Sequence, residues 1–235
     1  MDIETTDPTE APEGMPDLSD ERLAVQIPLR HSVRSFTDGR IEGQTRAALQ
    51  RFVDECNERS GLSLALCTDE PGAFSSLLVR YGLFRNVRNY IACIGAQDQD
   101  LQERVGYWGE RCVLAAQALG LNSCWVGLTY SKKKVAAPVS AGQELVCVIA
   151  LGYGTTAGKP HKSKRALQVA PGVEGNPDWF RRGVEAALLA PTAVNQQKFA
   201  ISLDGDEVRF QSEGGAYTKV DLGIVKAHFE LGAMR

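Results

Sequence analysis

The sequence predicts an α+β protein, and three observations carry that reading. Helical and strand patterning follow one another irregularly along 235 residues. No G-x-G-x-x-G turn follows a strand, so a doubly wound dinucleotide-binding sheet is unsupported. The chain also repeats itself faintly. With a shift of 112 residues, Val113, Ala115, Leu119 and Gly120 match Val225, Ala227, Leu231 and Gly232. Each half has an earlier helix followed by a strand, which predicts two related α/β halves.

Composition narrows the class. Apolar residues at 43% and charged residues at 23% are an ordinary globular balance. A net charge of -3 gives no reason to expect nucleic acid or an anionic membrane as partner. No apolar run has the length of a membrane span, and the acidic, polar N-terminus is not a secretory signal. Six cysteines (Cys56, Cys67, Cys93, Cys112, Cys124, Cys147) form no C-x-x-C pair, and most sit in apolar runs. They read as free buried thiols in a reducing cytoplasm. The three histidines, His31, His161 and His228, are too scattered for zinc, so no metal is expected.

The elements follow in order. Residues 1–17, rich in Asp, Glu, Thr and Pro, read as a disordered acidic tail. Ser19 is an N-cap for a short helix reaching Gln26, before Pro28. Residues 41–58 have helical spacing, with Leu49, Phe52, Val53 and Cys56 on one face. Residues 62–67 and 90–95 read as strands. Residues 107–120 form a helix of small residues closed by Gly120 at C′. Residues 121–127 lead from it into a loop containing Lys132, Lys133 and Lys134. The apolar run 145–151 is an interior strand ending at Gly152-Tyr153-Gly154. The domain reading is therefore a first half over 18–154, an extended crossing segment over 155–177, and a second half over 178–235. That second half holds a helix over 178–189 stopped by Pro191, a hairpin around Asp204-Gly205, and a last helix over 220–231.

Four segments carry candidate chemistry. In an extended stretch Arg30, Ser32 and Arg34 point the same way and offer two guanidiniums and a hydroxyl to a phosphate, with His31 as neighbour. A second basic cluster, Pro160 to Arg165, contains Lys162 and Lys164. Pro191 to Gln197 presents the Thr192 hydroxyl with the amides of Asn195 and Gln197, a donor–acceptor mixture that suits the edge of an isoalloxazine ring. Trp125-Val126-Gly127 offers a covering ring and a glycine that lets backbone approach a flat ligand. Each also has a plainer role: solvated basic turns, a helix-terminating turn with an Asn cap, a Trp closing the core. If the first and third segments meet in space, the ligand is flavin mononucleotide (FMN).

Together these residues resemble the nitroreductase family of FMN-dependent flavoproteins. The matching stretches are Arg30-His31-Ser32-Val33-Arg34, residues 115–127, Ala150-Leu151-Gly152-Tyr153, Lys162-Ser163-Lys164, and residues 190–197. The resemblance implies the nitroreductase-like fold, with hydride from NADH or NADPH passing through FMN to a small acceptor such as a nitroaromatic or a quinone. No catalytic side chain is required. On this carry-over Arg30, His31, Ser32 and Arg34, helped by Lys162 and Lys164, hold phosphate and ribityl. Pro191, Thr192, Ala193, Asn195 and Gln197 contact the ring, and Trp125, Val126 and Gly127 approach it. Ordinary members are homodimers that carry the amide loop soon after the Arg-x-Ser-x-Arg segment. Here residues 57–61 hold that place and the loop lies in the second half. This layout resembles a divergent subgroup in which one chain is a fused, pseudo-dimeric monomer with a single FMN site. Lys198-Phe199 replaces the usual Pro-Trp after the amides.

Two other functions use the same residues: an FMN-binding storage or sensing protein with little turnover, and an interaction module whose basic clusters meet an acidic partner. A nucleophile elbow is absent, and His228, mid-helix, reads as a core or surface histidine.

Overall fold

The computed structural model describes residues 16–75 and 84–234. The acidic tail lies outside these residues, apart from Pro16 and Asp17. Helix α1 (Asp20–Ala24) is capped as expected, the Ser19 side chain accepting from the Arg22 amide. Helix α2 (Gly43–Ser60) buries Leu49, Phe52, Val53 and Cys56 on one face. Strands β1 (Ala65–Cys67) and β2 (Asn89–Ala96) follow, then helix α3 (Leu101–Ala118). Helix α3 starts six residues before the predicted 107. Its end is a Schellman turn: the amides of Gly120 and Leu121 reach the carbonyls of Gln117 and Ala116, and Gly120 has φ +81°.

Residues Asn122–Val126 form strand β3, where the sequence suggested only a passage into a loop. Pairing decides the matter, because β3 runs antiparallel to β4 (Gln143–Gly152) from Asn122↔Gly152 to Val126↔Val148. The sheet order is β1-β2-β4-β3, all neighbours antiparallel. Side chains alternate between its faces. Ile91, Cys93, Ile149 and Leu151 enter the larger core, whereas Tyr90, Ala92, Val148 and Ala150 enter a smaller one on the other face. A bulge between Cys93 and Ile94 leaves Val146 as the extra residue of β4. The Arg30–Phe36 segment borders the sheet beyond β3: Ser32 bridges Ser123, and the Val33 amide bonds the Ser123 carbonyl at 2.9 Å.

The remaining chain crosses back over this layer through the short helix α4 (Ala166–Val169) into helix α5 (Asp178–Ala187). The hairpin β5 (Phe199–Asp204) and β6 (Glu207–Ser212) turns at Gly205, and helix α6 (Thr218–Ala233) ends the fold. Phe180, Val184, Phe199 and Val225 join the same core as Leu49 and Ile149, so one core spans both parts of the chain.

Helices α3 and α6 are buried on nearly every side and cross each other at the centre. Their contact is backbone to backbone. A Cβ on Gly106 would drive into the Val220 carbonyl, and one on Gly223 into the Glu103 carbonyl. The crossing is reciprocal: Glu103 and Val220, like Gly106 and Gly223, lie 117 positions apart. This register differs from the 112-residue shift of the sequence repeat. All six cysteines are free and buried. Among the described residues no helix is long and apolar enough to cross a membrane, and no cluster of metal-ligating side chains occurs.

Candidate functional site

A cleft of about 570 Å³ opens between the border of the sheet and the N-terminal end of α6. Ser32 and Arg34 line it from the border segment, and Trp125, Val126 and Gly127 from the end of β3. Pro191, Thr192 and Ala193 line it from the loop after α5, and Tyr217, Val220, Asp221 and Ile224 from α6. Segments nearly 160 residues apart in the chain thus form one wall system. The lining is mainly apolar with a few polar groups, the usual make-up of an organic-ligand site.

The Arg30–Arg34 segment does not present its three polar residues alike. Ser32 and Arg34 face the cleft, and the Arg34 guanidinium lies 6.0 Å from the centre of the Phe84 ring. Arg30 lies outside the lining and is 3% exposed. Its Nε is 3.6 Å from the Glu110 carboxylate, and Nε and Nη1 are buried without a hydrogen-bond partner. The segment pairs with the sheet only at isolated bridges, so strict alternation is not enforced. His31 is half-buried against the crossing segment, where Gly158 packs on its Cβ. Burial, with the nearby Arg30 and His161, holds its pKa below the usual imidazole range.

The second basic cluster and the amide loop engage each other. The Asn195 and Gln197 side-chain amides each donate to the Lys162 carbonyl at 2.9 Å. The Lys164 amide donates to Gln197 Oε1, and its ammonium donates to the Gln197 carbonyl at 2.7 Å. Lys162, Lys164, Asn195 and Gln197 all lie outside the lining. Gln197 also donates to Asn195 Oδ1, and its own amide is held by the Thr192 hydroxyl. This network sustains an unusual turn in which Val194 (φ +46°), Asn195 (φ +56°) and Gln197 (φ +46°) all adopt left-handed backbone. A β-branched residue there is strained, and Val194 is 97% exposed at the cleft rim.

Sequence reasoning missed the contribution of α6. Asp221, 4% exposed, accepts from the Ala193 amide at 2.9 Å and from Gln196 Nε2 at 2.6 Å, fastening the loop to the helix. Burial pushes its carboxyl up to about 6, against the lowering effect of those two bonds. Tyr217 has φ +61° and donates its hydroxyl to the Gly127 carbonyl at 2.7 Å. A Cβ on Gly127 would lie 2.5 Å from the Tyr217 ring, so that glycine gives way to an aromatic side chain of the protein itself. An Asp among the apolar residues Val220, Leu222, Ile224 and Val225 of the helix was the available signal.

The family model described as "Putative TM nitroreductase" matches residues 22–233. The chain belongs to this nitroreductase family. Among solved structures, it is 22% identical to a "putative nitroreductase" of Thermotoga maritima, covering 97% of this chain and 88% of that one with a TM-score of 0.64. A "putative nitroreductase in complex with fmn" from Desulfovibrio desulfuricans is 17% identical over 62% of this chain and 94% of that one, with a TM-score of 0.46. No curated protein matches. The nitroreductase-like α+β fold expected from the sequence is the fold observed.

Proposed function

We propose that the cleft binds one FMN and that the chain is an NAD(P)H-dependent oxidoreductase acting on small acceptors. The observation that carries this reading is the convergence of Ser32-Arg34, Trp125-Gly127 and Pro191-Ala193 on one cleft. Its volume of about 570 Å³ lies within the range of cofactor sites. The residues fit the group. Arg34 and Ser32 offer a cation and a hydroxyl to a phosphate, and the partnerless Nη1 of buried Arg30 is a donor awaiting an acceptor. The walls of Val126, Pro191, Val220 and Ile224 suit a flat aromatic ring. In this reading Trp125, Val126 and Gly127 approach the ring, and Pro191, Thr192 and Ala193 border it. Asn195, Gln197, Lys162 and Lys164 serve the site by fixing the loop, with His31 beside them.

When bound, the flavin supplies two-electron chemistry between NADH or NADPH and an acceptor such as a nitroaromatic or a quinone. The protein's part is to orient the ring, shed water from its face and offset charge with Arg34 and backbone donors. The reciprocal crossing of α3 and α6 supports the pseudo-dimer reading, because a two-fold interface makes each contact twice. One site per chain follows, with no second copy required.

The test is direct. Purified protein should be yellow and hold one FMN per chain. NADH or NADPH should bleach it, and menadione should restore the colour. Colourless protein that takes up no added FMN defeats the reading, and two flavins per chain defeats the pseudo-dimer.

A further inference from the structure

Beneath the cleft lies a buried polar cluster that none of these roles uses. Glu110 of α3 is fully buried, and its Oε2 accepts from Trp125 Nε1 at 2.7 Å. Its Oε1 lies 2.9 Å from Nε2 of His228 of α6, and 3.6 Å from Arg30 Nε. His228 is also fully buried, with Nδ1 3.1 Å from the Ala186 carbonyl at the end of α5. One carboxylate oxygen thus faces both the imidazole and the guanidinium, and the imidazole is the nearer. Arg30 Nη1 is meanwhile buried with no hydrogen-bond partner.

We propose that His228 and Glu110 are positioning residues: by occupying Glu110 Oε1, His228 keeps Arg30 from closing a full ion pair and so leaves Arg30 for the anionic end of the ligand. The inference rests on the flavin reading above. Glu110 at the same time orients Trp125, which packs over Gly109 as well as lining the cleft. Without the imidazole, Arg30 would turn to form a tight, two-point pair with Glu110 and withdraw from the ligand.

Comparing FMN with riboflavin, which lacks the phosphate, isolates this effect. Affinities of the full chain for both are measured by quenching of flavin fluorescence. Wild type should prefer FMN. In His228→Phe that preference should fall about tenfold through the FMN affinity alone, with riboflavin binding changed no more than about twofold. An equal loss for both ligands, as a purely structural role predicts, overturns the proposal. So does an unchanged ratio, or a wild type that does not discriminate. If His228→Phe shows no cooperative melting, the ratio is read on His228→Leu, which likewise leaves Glu110 Oε1 without the imidazole. The same fall is then expected, and no fall overturns the proposal. A wild type that binds neither flavin sinks the flavin reading instead.

Discussion

Asp221→Asn tests how the amide loop is held, through the energy that the fold spends on a buried carboxylate. Asp221 is 4% exposed, and burial pushes its carboxyl up to about 6 although the Ala193 and Gln196 donors pull the other way. The folded chain therefore binds this proton more tightly than the unfolded chain, where the value is 3.8. The stability it contributes is fully present below about pH 4 and is lost as pH rises through about 6. The displacement corresponds to about 3 kcal/mol at most. Between pH 4.5 and 7.5 the portion at stake is about 2 kcal/mol, because the unfolded side chain is already largely ionised at the lower pH. Asparagine keeps the shape and removes the titration. Urea unfolding of both proteins at these two pH values supplies the comparison. The difference in unfolding free energy should move toward the variant by about 2 kcal/mol as pH rises. A difference constant to within about 0.5 kcal/mol, or one that moves toward wild type, would show that burial does not outweigh the Ala193 and Gln196 hydrogen bonds at Asp221.

Four further substitutions probe the cleft and the residues beside it. Arg34→Ala should weaken FMN binding by about 1.5–3 kcal/mol, the range for a charge-assisted hydrogen bond, and Arg30→Ala by a similar amount. Fluorescence titration reads both, and unchanged affinity removes the residue from the site. Val194→Gly should raise stability by about 1 kcal/mol, since glycine takes φ +46° without strain and an almost fully exposed side chain loses no packing. A lower denaturation midpoint would contradict this. Gly127→Ala should displace the Tyr217 ring and raise the dissociation constant for FMN, and binding equal to wild type would show that the ring yields freely.

Much of this molecule was legible in the sequence because local chemistry agreed with tertiary structure. Ser19 caps α1, Gly120 closes α3 in left-handed backbone, and Gly205 turns the hairpin. The run 145–151 is a central strand paired on both sides. Strand β3 was hidden because only pairing to β4 distinguishes it from a loop. At the site, the three segments that meet were named from residue type alone. What each side chain does there was not visible. Arg30 turns inward because Glu110, 80 positions away, supplies a buried carboxylate. Asn195 and Gln197 turn from the cleft because the carbonyl of Lys162 passes beside them. Such partners are set by which backbone crosses which, and no local spacing records that.

The two walls of the cleft hang on the same pair of helices. Asp221 and Tyr217 tie the amide loop and the end of β3 to α6. Glu110 ties Trp125 to α3 and stands beside Arg30. The distance between the walls is therefore set where α3 and α6 cross, at Gly106 and Gly223. A Cβ there meets carbonyl backbone rather than a side chain that could rotate away, so the helices themselves must part. Gly106→Ala should cost about 1–3 kcal/mol, the usual range for an overpacked interior, which a domain of this size can survive. The cleft should not survive it as well, since fixed donors lose much of their hold on a ligand when displaced by about 1 Å. The expected variant still unfolds cooperatively, at lower temperature, yet binds FMN far more weakly than its loss of stability explains. Full affinity in a folded Gly106→Ala protein would mean that the walls are positioned independently of the crossing.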